Sequence, residues 1–120
     1  MAADVRRFIL TSIPSVPYLE AVLLLRAETA REWSAADVAR RLYLPESRAA
    51  ELLQQLASAG IAASTTAGAY RYRPAAELGE MLDRLAAEYA ADLVGVSDLI
   101  HSSDKKARQF ADAFRWRKDT

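Results

Sequence analysis

Residues 34–60 read SAADVARRLYLPESRAAELLQQLASAG, and this stretch decides the fold. Its first half places Val38 and Leu42 four residues apart with Ala39 beside them, a narrow apolar stripe at helical period. Ser34 stands where an N-cap hydroxyl is wanted, and Asp37, at the third helical position, reaches back to complete a capping box. The second half carries Ala49, Leu53 and Leu56 along one face, widened by Leu52. Pro45 suits a first helical turn, where a missing N–H costs nothing, and Gly60 suits the left-handed position just past the end. Only a few residues around Tyr43 and Leu44 separate the two halves. Two helices joined by so tight a turn have the anatomy of a helix-turn-helix.

Directly after Gly60 come Ile61 to Thr65, then Thr66-Ala67-Gly68, then Ala69-Tyr70-Arg71-Tyr72-Arg73-Pro74. The last run alternates aromatic and basic residues, so Tyr70 and Tyr72 face one side of a strand and Arg71 and Arg73 the other. Two short strands around a Gly-bearing tip predict a β-hairpin, closed by Pro74. From Trp33 to Pro74 this order of elements resembles the winged helix-turn-helix domains of small MarR-like bacterial transcription regulators. The resemblance covers about a third of the chain and rests on element order and apolar spacing. It implies a DNA-binding domain whose second helix enters the major groove and whose hairpin is the wing.

On the N-terminal side, Asp4 to Ile13 reads as a short helix interrupted by Pro14, because the residue before a proline is pushed out of helical geometry. Ser15 caps a second helix with Leu19, Val22, Leu23 and Leu25 on a broad apolar face, which marks it as core. Trp33 is placed to sit on a short strand beside the hairpin. On the C-terminal side, Leu78, Leu82, Leu85, Tyr89, Leu93, Val96 and Ile100 follow at spacings of about three and four, which predicts one long helix over 75–103. At 1.5 Å per residue such a helix is about 38 Å long, with Gly95 its weak point. Its stripe must meet the N-terminal helix, the final segment or a second copy. Pairing of two copies through it is the expectation, since regulators of the resembling kind commonly dimerise through terminal helices and twofold pairing is the commonest oligomeric form. Ala107, Phe110, Ala111 and Phe114 predict a short amphipathic helix at the end of the chain. The expected class is thus mainly α with a small β-hairpin wing, with residues 1–74 as the winged-helix part and 75–120 as the dimerisation region.

At 120 residues, 52% of them apolar, the chain is long enough for one domain with a real core and is not expected to be disordered. The absence of cysteine excludes disulfides, thiolate catalysis and cysteine-based zinc sites. The N-terminal MAADVRRFIL lacks the apolar core of a signal peptide, and the strongly apolar run Val22 to Leu25 ends at Arg26, so a cytoplasmic protein with no membrane partner is expected. The net charge is zero, which argues against a surface that grips nucleic acid all over. Its distribution is uneven: residues 75–103 are acidic, with Arg84 the sole arginine or lysine, and residues 104–120 carry Lys105, Lys106, Arg108, Arg115, Arg117 and Lys118 against three aspartates.

For DNA, the second helix offers Ser47 to a phosphate, Arg48 to a guanine edge and Gln55 to an adenine edge. Arg40 and Arg41 on the first helix and Arg71 and Arg73 on the wing strand are placed to hold the phosphate backbone. Between residues 34 and 73, five arginines face Asp37, Glu46 and Glu51, a surplus of two. The two glutamates on the second helix oppose a polyanion and favour the competing reading, a winged-helix protein-interaction module or adaptor that does not bind DNA. The MarR-like resemblance implies a place for a small aromatic effector between the wing domain and the long helix, which Tyr18, Tyr43, Tyr70, Tyr72 and Tyr89 with Trp33 would line, although such residues more often belong to the core. His101 between Asp98 and Asp104 has a spacing a metal tolerates, yet lone histidines at helix ends are mostly structural. No Gly-rich phosphate loop and no nucleophile-base pair at recognisable spacing is present, and the caps account for the Ser and Asp residues. Neither a cofactor, a metal nor an enzymatic activity is expected.

Overall fold

The computed structural model describes residues 1–103, and its first corner is set by a proline. Helix α1 (Ala3–Ser12) ends on Ile13, whose extended backbone (φ −115°, ψ 94°) is the conformation Pro14 imposes on the residue before it. Ser15 then caps helix α2 (Val16–Ala27), its hydroxyl accepting from the Tyr18 N–H at 3.2 Å. The two helices turn by 111° at this corner. Leu19, Ala21, Val22 and Leu25 of α2 are wholly buried, so α2 is the helix on which the others pack. A helix this apolar has no polar face to give to water and is stable only when surrounded.

Helix α3 (Ala35–Leu42) carries the expected capping box: the Asp37 N–H donates to the Ser34 hydroxyl at 3.1 Å, and the Ser34 N–H to the Asp37 carboxylate at 3.5 Å. Helix α4 (Glu46–Ser58) starts one residue after Pro45, which occupies the cap position with φ −59° and ψ 146°. Val38 of α3 and Ala49, Leu52, Leu53 and Leu56 of α4 are buried together against α2. Gly60, at φ 77°, ends α4. The Ile61 N–H returns to the Leu56 carbonyl at 2.9 Å and the Gly60 N–H to Ala57 at 3.1 Å, a closure in which Ile61 also packs back on the helix end.

Strands β1 (Ala62–Ser64) and β2 (Tyr70–Tyr72) pair antiparallel, with Ala62 opposite Tyr72 and Ser64 opposite Tyr70. Tyr70 and Tyr72 are half-buried and Arg71 and Arg73 exposed, as alternation requires. Trp33 forms a bridge on the far side of β2. Its N–H donates to the Tyr70 carbonyl at 2.7 Å and its carbonyl accepts from the Tyr70 N–H at 2.9 Å. The indole is wholly buried, so this one residue ties the hairpin to the start of α3.

The single long helix expected over 75–103 is two. Helix α5 (Ala76–Ala91) stops at Asp92, whose backbone leaves helical geometry (φ −146°, ψ 69°), and residues 93–103 are helical again, here α6. Asp92 is the cap of the second piece. Its carboxylate accepts from the Gly95 N–H at 3.0 Å and its carbonyl from the Val96 N–H at 3.1 Å. The apolar spacing runs through the break because it counts only apolar residues and is blind to an aspartate that can replace the lost backbone bonds. Gly95 is not the break itself. A Cβ there would strike the Asp92 carboxylate, so the glycine makes room for the cap.

Much of the stripe on α5 and α6 is satisfied inside the chain. Leu82, Leu85, Val96 and Ile100 are wholly buried, whereas Leu93 and its neighbour Val94 are 55% and 67% exposed. The N-terminal helix supplies part of the cover: α5 packs on α1, with Arg84 paired to Asp4 across the seam. Among the described residues no polar or charged side chain is buried, and no helix is long and apolar enough to cross a membrane. The short helix expected at the end of the chain, with Ala107, Phe110, Ala111 and Phe114, lies outside the described residues.

Candidate nucleic-acid interface

The turn between α3 and α4 presents the first feature of the site. Tyr43 takes the left-handed conformation (φ 57°, ψ 47°), and the Leu44 N–H returns to the Ala39 carbonyl at 3.0 Å. This is the closure seen at Gly60, built here on a residue with a Cβ. Tyr43 is the only non-glycine at positive φ among the described residues, and its side chain is 94% exposed. A bulky residue in that region costs backbone energy, and no core packing holds the ring there. After Leu44 and Pro45 the first turn of α4 opens to solvent with Glu46 and Ser47 exposed and Arg48 half-exposed.

Of the predicted arginines, Arg41 stands over Trp33. The Arg41 guanidinium lies 5.5 Å from the indole centroid, and Arg31, 3.8 Å from it, stacks more closely. Arg31 and Arg40 both reach the Asp37 carboxylate, and Arg71 pairs with Glu32 at 3.8 Å. The Ser34 hydroxyl and N–H, followed by the charges of Arg40 and Arg31, hold the Asp37 carboxyl below the usual aspartate range. The result is a band in which cations and carboxylates alternate. Arg31 and Glu32 were not singled out in the sequence; the signal was there in the Arg31-Glu32-Trp33 run just before the Ser34 cap.

Arg48 lies apart on α4 and pairs with Glu51 at 3.2 Å. Arg41 and Arg73 make no ion pair among the described residues, so their charge is not matched by a neighbouring carboxylate. Breaking an exposed pair costs little, but an arginine already facing a carboxylate offers less net field to a phosphate than an unmatched one.

Gln55 does not share the open end of α4 with Ser47 and Arg48. With Glu51 and Gln54 it lines one wall of an open groove of about 830 Å³, and the opposite wall is the end of α1, from Leu10 to Pro14, with Ser103 of α6 at the rim.

The aromatic residues considered for an effector cavity do not converge. Trp33 is in the core, Tyr43 projects into solvent, and Tyr18 alone of the set lines the groove. Burial raises the Tyr18 hydroxyl above its ordinary pKa, and burial with the nearby Asp83 charge raises that of Tyr72. His101 is exposed, and Asp104, the second of its considered partners, lies outside the described residues; among those described, no three metal-ligating side chains come together. Compared with protein-family models, curated proteins and solved structures, the chain matches none.

Proposed function

We propose that this chain is a DNA-binding transcriptional regulator of the winged-helix type, with α3 and α4 as its helix-turn-helix, α4 as the helix that enters the major groove, and the β1–β2 hairpin as the wing. The observation that carries the reading is the Tyr43 turn. An exposed aromatic residue held in left-handed geometry stands in the turn before the open first turn of α4, which offers the exposed Ser47 to a phosphate and Arg48 to a base edge once its pair with Glu51 opens. Arg41 beside Trp33 and Arg73 at the end of the hairpin supply charge that no carboxylate among the described residues matches, and Arg40 and Arg71 add to it once their pairs open. Gln55 is exposed but lines the groove, away from the first turn of α4. A dimer would present two such surfaces, and the exposed Leu93 and Val94 at the α5–α6 joint are what these helices leave for a second copy.

A second reading is favoured by a specific observation. Arg40, Arg48 and Arg71 are each paired with a carboxylate, and Glu46 and Glu51 face outward on α4. A surface so nearly neutral suits an adaptor that docks on another protein.

Binding to mixed genomic DNA fragments across a salt series separates the two. Phosphate contact makes affinity fall with salt at a slope of about 0.9 per contact on a logarithmic scale. The Arg41→Ala/Arg73→Ala variant is expected to flatten that slope by nearly two contacts per chain, more than Arg40→Ala/Arg71→Ala does. A folded wild-type protein that shows no binding at low salt excludes the regulator and leaves the adaptor.

A further inference from the structure

The groove between α1 and α4 has one wall of amides and a carboxylate, one wall that includes the exposed Leu10, and Ile13 and Tyr18 at its base. We propose that its occupant is the chain's own segment 104–120. The segment starts at the rim: Ser103 lines the groove and its hydroxyl donates to the Leu10 carbonyl at 3.3 Å. The seven residues from Ser103 to Phe110 reach at most about 25 Å when fully extended, whereas the groove-lining stretch from Glu51 on α4 to its cap residue Ala59 spans only about 12 Å. Length therefore permits docking anywhere along it.

Chemistry favours it as well. Segment 104–120 has six lysines and arginines against three aspartates, a net charge of +3, and since the whole chain is neutral, residues 1–103 carry −3. Among the described residues the one charged residue lining the groove is Glu51, an acid. Ala107, Phe110, Ala111 and Phe114 give the segment an apolar stripe, and Leu10 is one of the few large apolar side chains left exposed on residues 1–103. Covering Leu10 with Phe110 and Phe114 removes apolar surface from water on both partners. The docked segment also covers Gln54 and Gln55, so the second half of α4 is unavailable to any other ligand while it is seated. The inference does not depend on the DNA reading.

The chain has no cysteine, so two can be placed at will. In the full-length protein, Ser58→Cys on the groove wall and Ala113→Cys in the segment are joined with a short bismaleimide, beside a control pair of Ala113→Cys with Ser64→Cys on the hairpin. Docking predicts a cross-link within one chain that exceeds the control, persists on dilution, and is lost both with Phe110→Ser/Phe114→Ser and with Leu10→Ser, an exposed position whose change leaves the core intact. A yield no higher than the control, or one indifferent to these substitutions, overturns the proposal. So does a product between two chains that fades on dilution, which would assign the groove to a second copy.

Discussion

Arg84 of α5 holds Asp4 of α1 with both ends of its guanidinium, Nη1 at 2.6 Å from one carboxylate oxygen and Nη2 at 2.8 Å from the other, across 80 positions of sequence. The bidentate fork fixes the approach of the first helix to the fifth. Hydrogen bonding from Arg84 lowers the Asp4 carboxyl below its ordinary 3.8, and the same contact raises the guanidinium. Asp37 is lowered likewise in its capping box. A carboxyl that is more acidic folded than unfolded adds stability that is complete above its unfolded pKa and disappears as pH falls through the folded one. Thermal melts of Asp4→Asn against wild type are therefore expected to differ at neutral pH and converge in strong acid. Both partners are about half exposed, so the neutral-pH difference is small and shrinks in high salt. A difference that grows as pH falls counts against the pairing.

The break at Asp92 makes two substitutions non-additive. Asp92→Ala removes the α6 cap and is expected to cost about 1 kcal/mol. Gly95→Ala gains helix propensity of the same order but places a methyl against the cap carboxylate, so in the wild-type background the two effects nearly cancel. In the Asp92→Ala background nothing obstructs the methyl, and Gly95→Ala becomes stabilising. Urea denaturation of the four members of this cycle measures the coupling. Additive values show that the cap does not form.

Trp33 is wholly buried while its indole N–H finds no acceptor among the described residues. Truncation to alanine opens a large cavity between the hairpin and α3, at a cost of about 3–5 kcal/mol. Trp33→Phe keeps most of the ring and discards the unpaired donor, whose burial is itself unfavourable by about 1–3 kcal/mol. The phenylalanine variant is thus expected to lie much closer to wild type than to alanine in chemical denaturation. Equal losses for both would show that the N–H has an acceptor.

Local rules carried the reading wherever one residue type has one physical use. The Ser34–Asp37 box, the Ser15 cap, the Pro14 corner, the left-handed Gly60 and the alternation of Tyr70 to Arg73 were all legible, because each depends on neighbours within a few positions. The α5–α6 break was not, since Asp92 reads as one more acidic residue on a solvated face until its carboxylate is seen on the Gly95 N–H. The partners of the arginines were hidden for a different reason. Arg71 meets Glu32 across 39 positions, and Arg31 and Arg41 share the Trp33 ring only because β2 draws Trp33 to the hairpin. Spacing counts charges but does not say which of them face one another.

Tyr43 sets stability against use. Its left-handed backbone is unfavourable for a side chain by about 1 kcal/mol, and with its ring in solvent it recovers nothing from packing. Tyr43→Gly relieves that cost and gives part of it back through the freer unfolded chain, for a net gain of roughly 0.5 kcal/mol. Tyr43→Asn, which tolerates the same conformation, is expected to stabilise as well. If the ring contacts DNA, both variants bind fragments more weakly while melting higher, the opposing pattern of a strained functional position. Binding unchanged in the stabilised variants removes Tyr43 from the interface and leaves Ser47, Arg48, Arg41 and Arg73 to carry it. A lower melting temperature for Tyr43→Gly would mean that the turn is held by the tyrosine and not in spite of it.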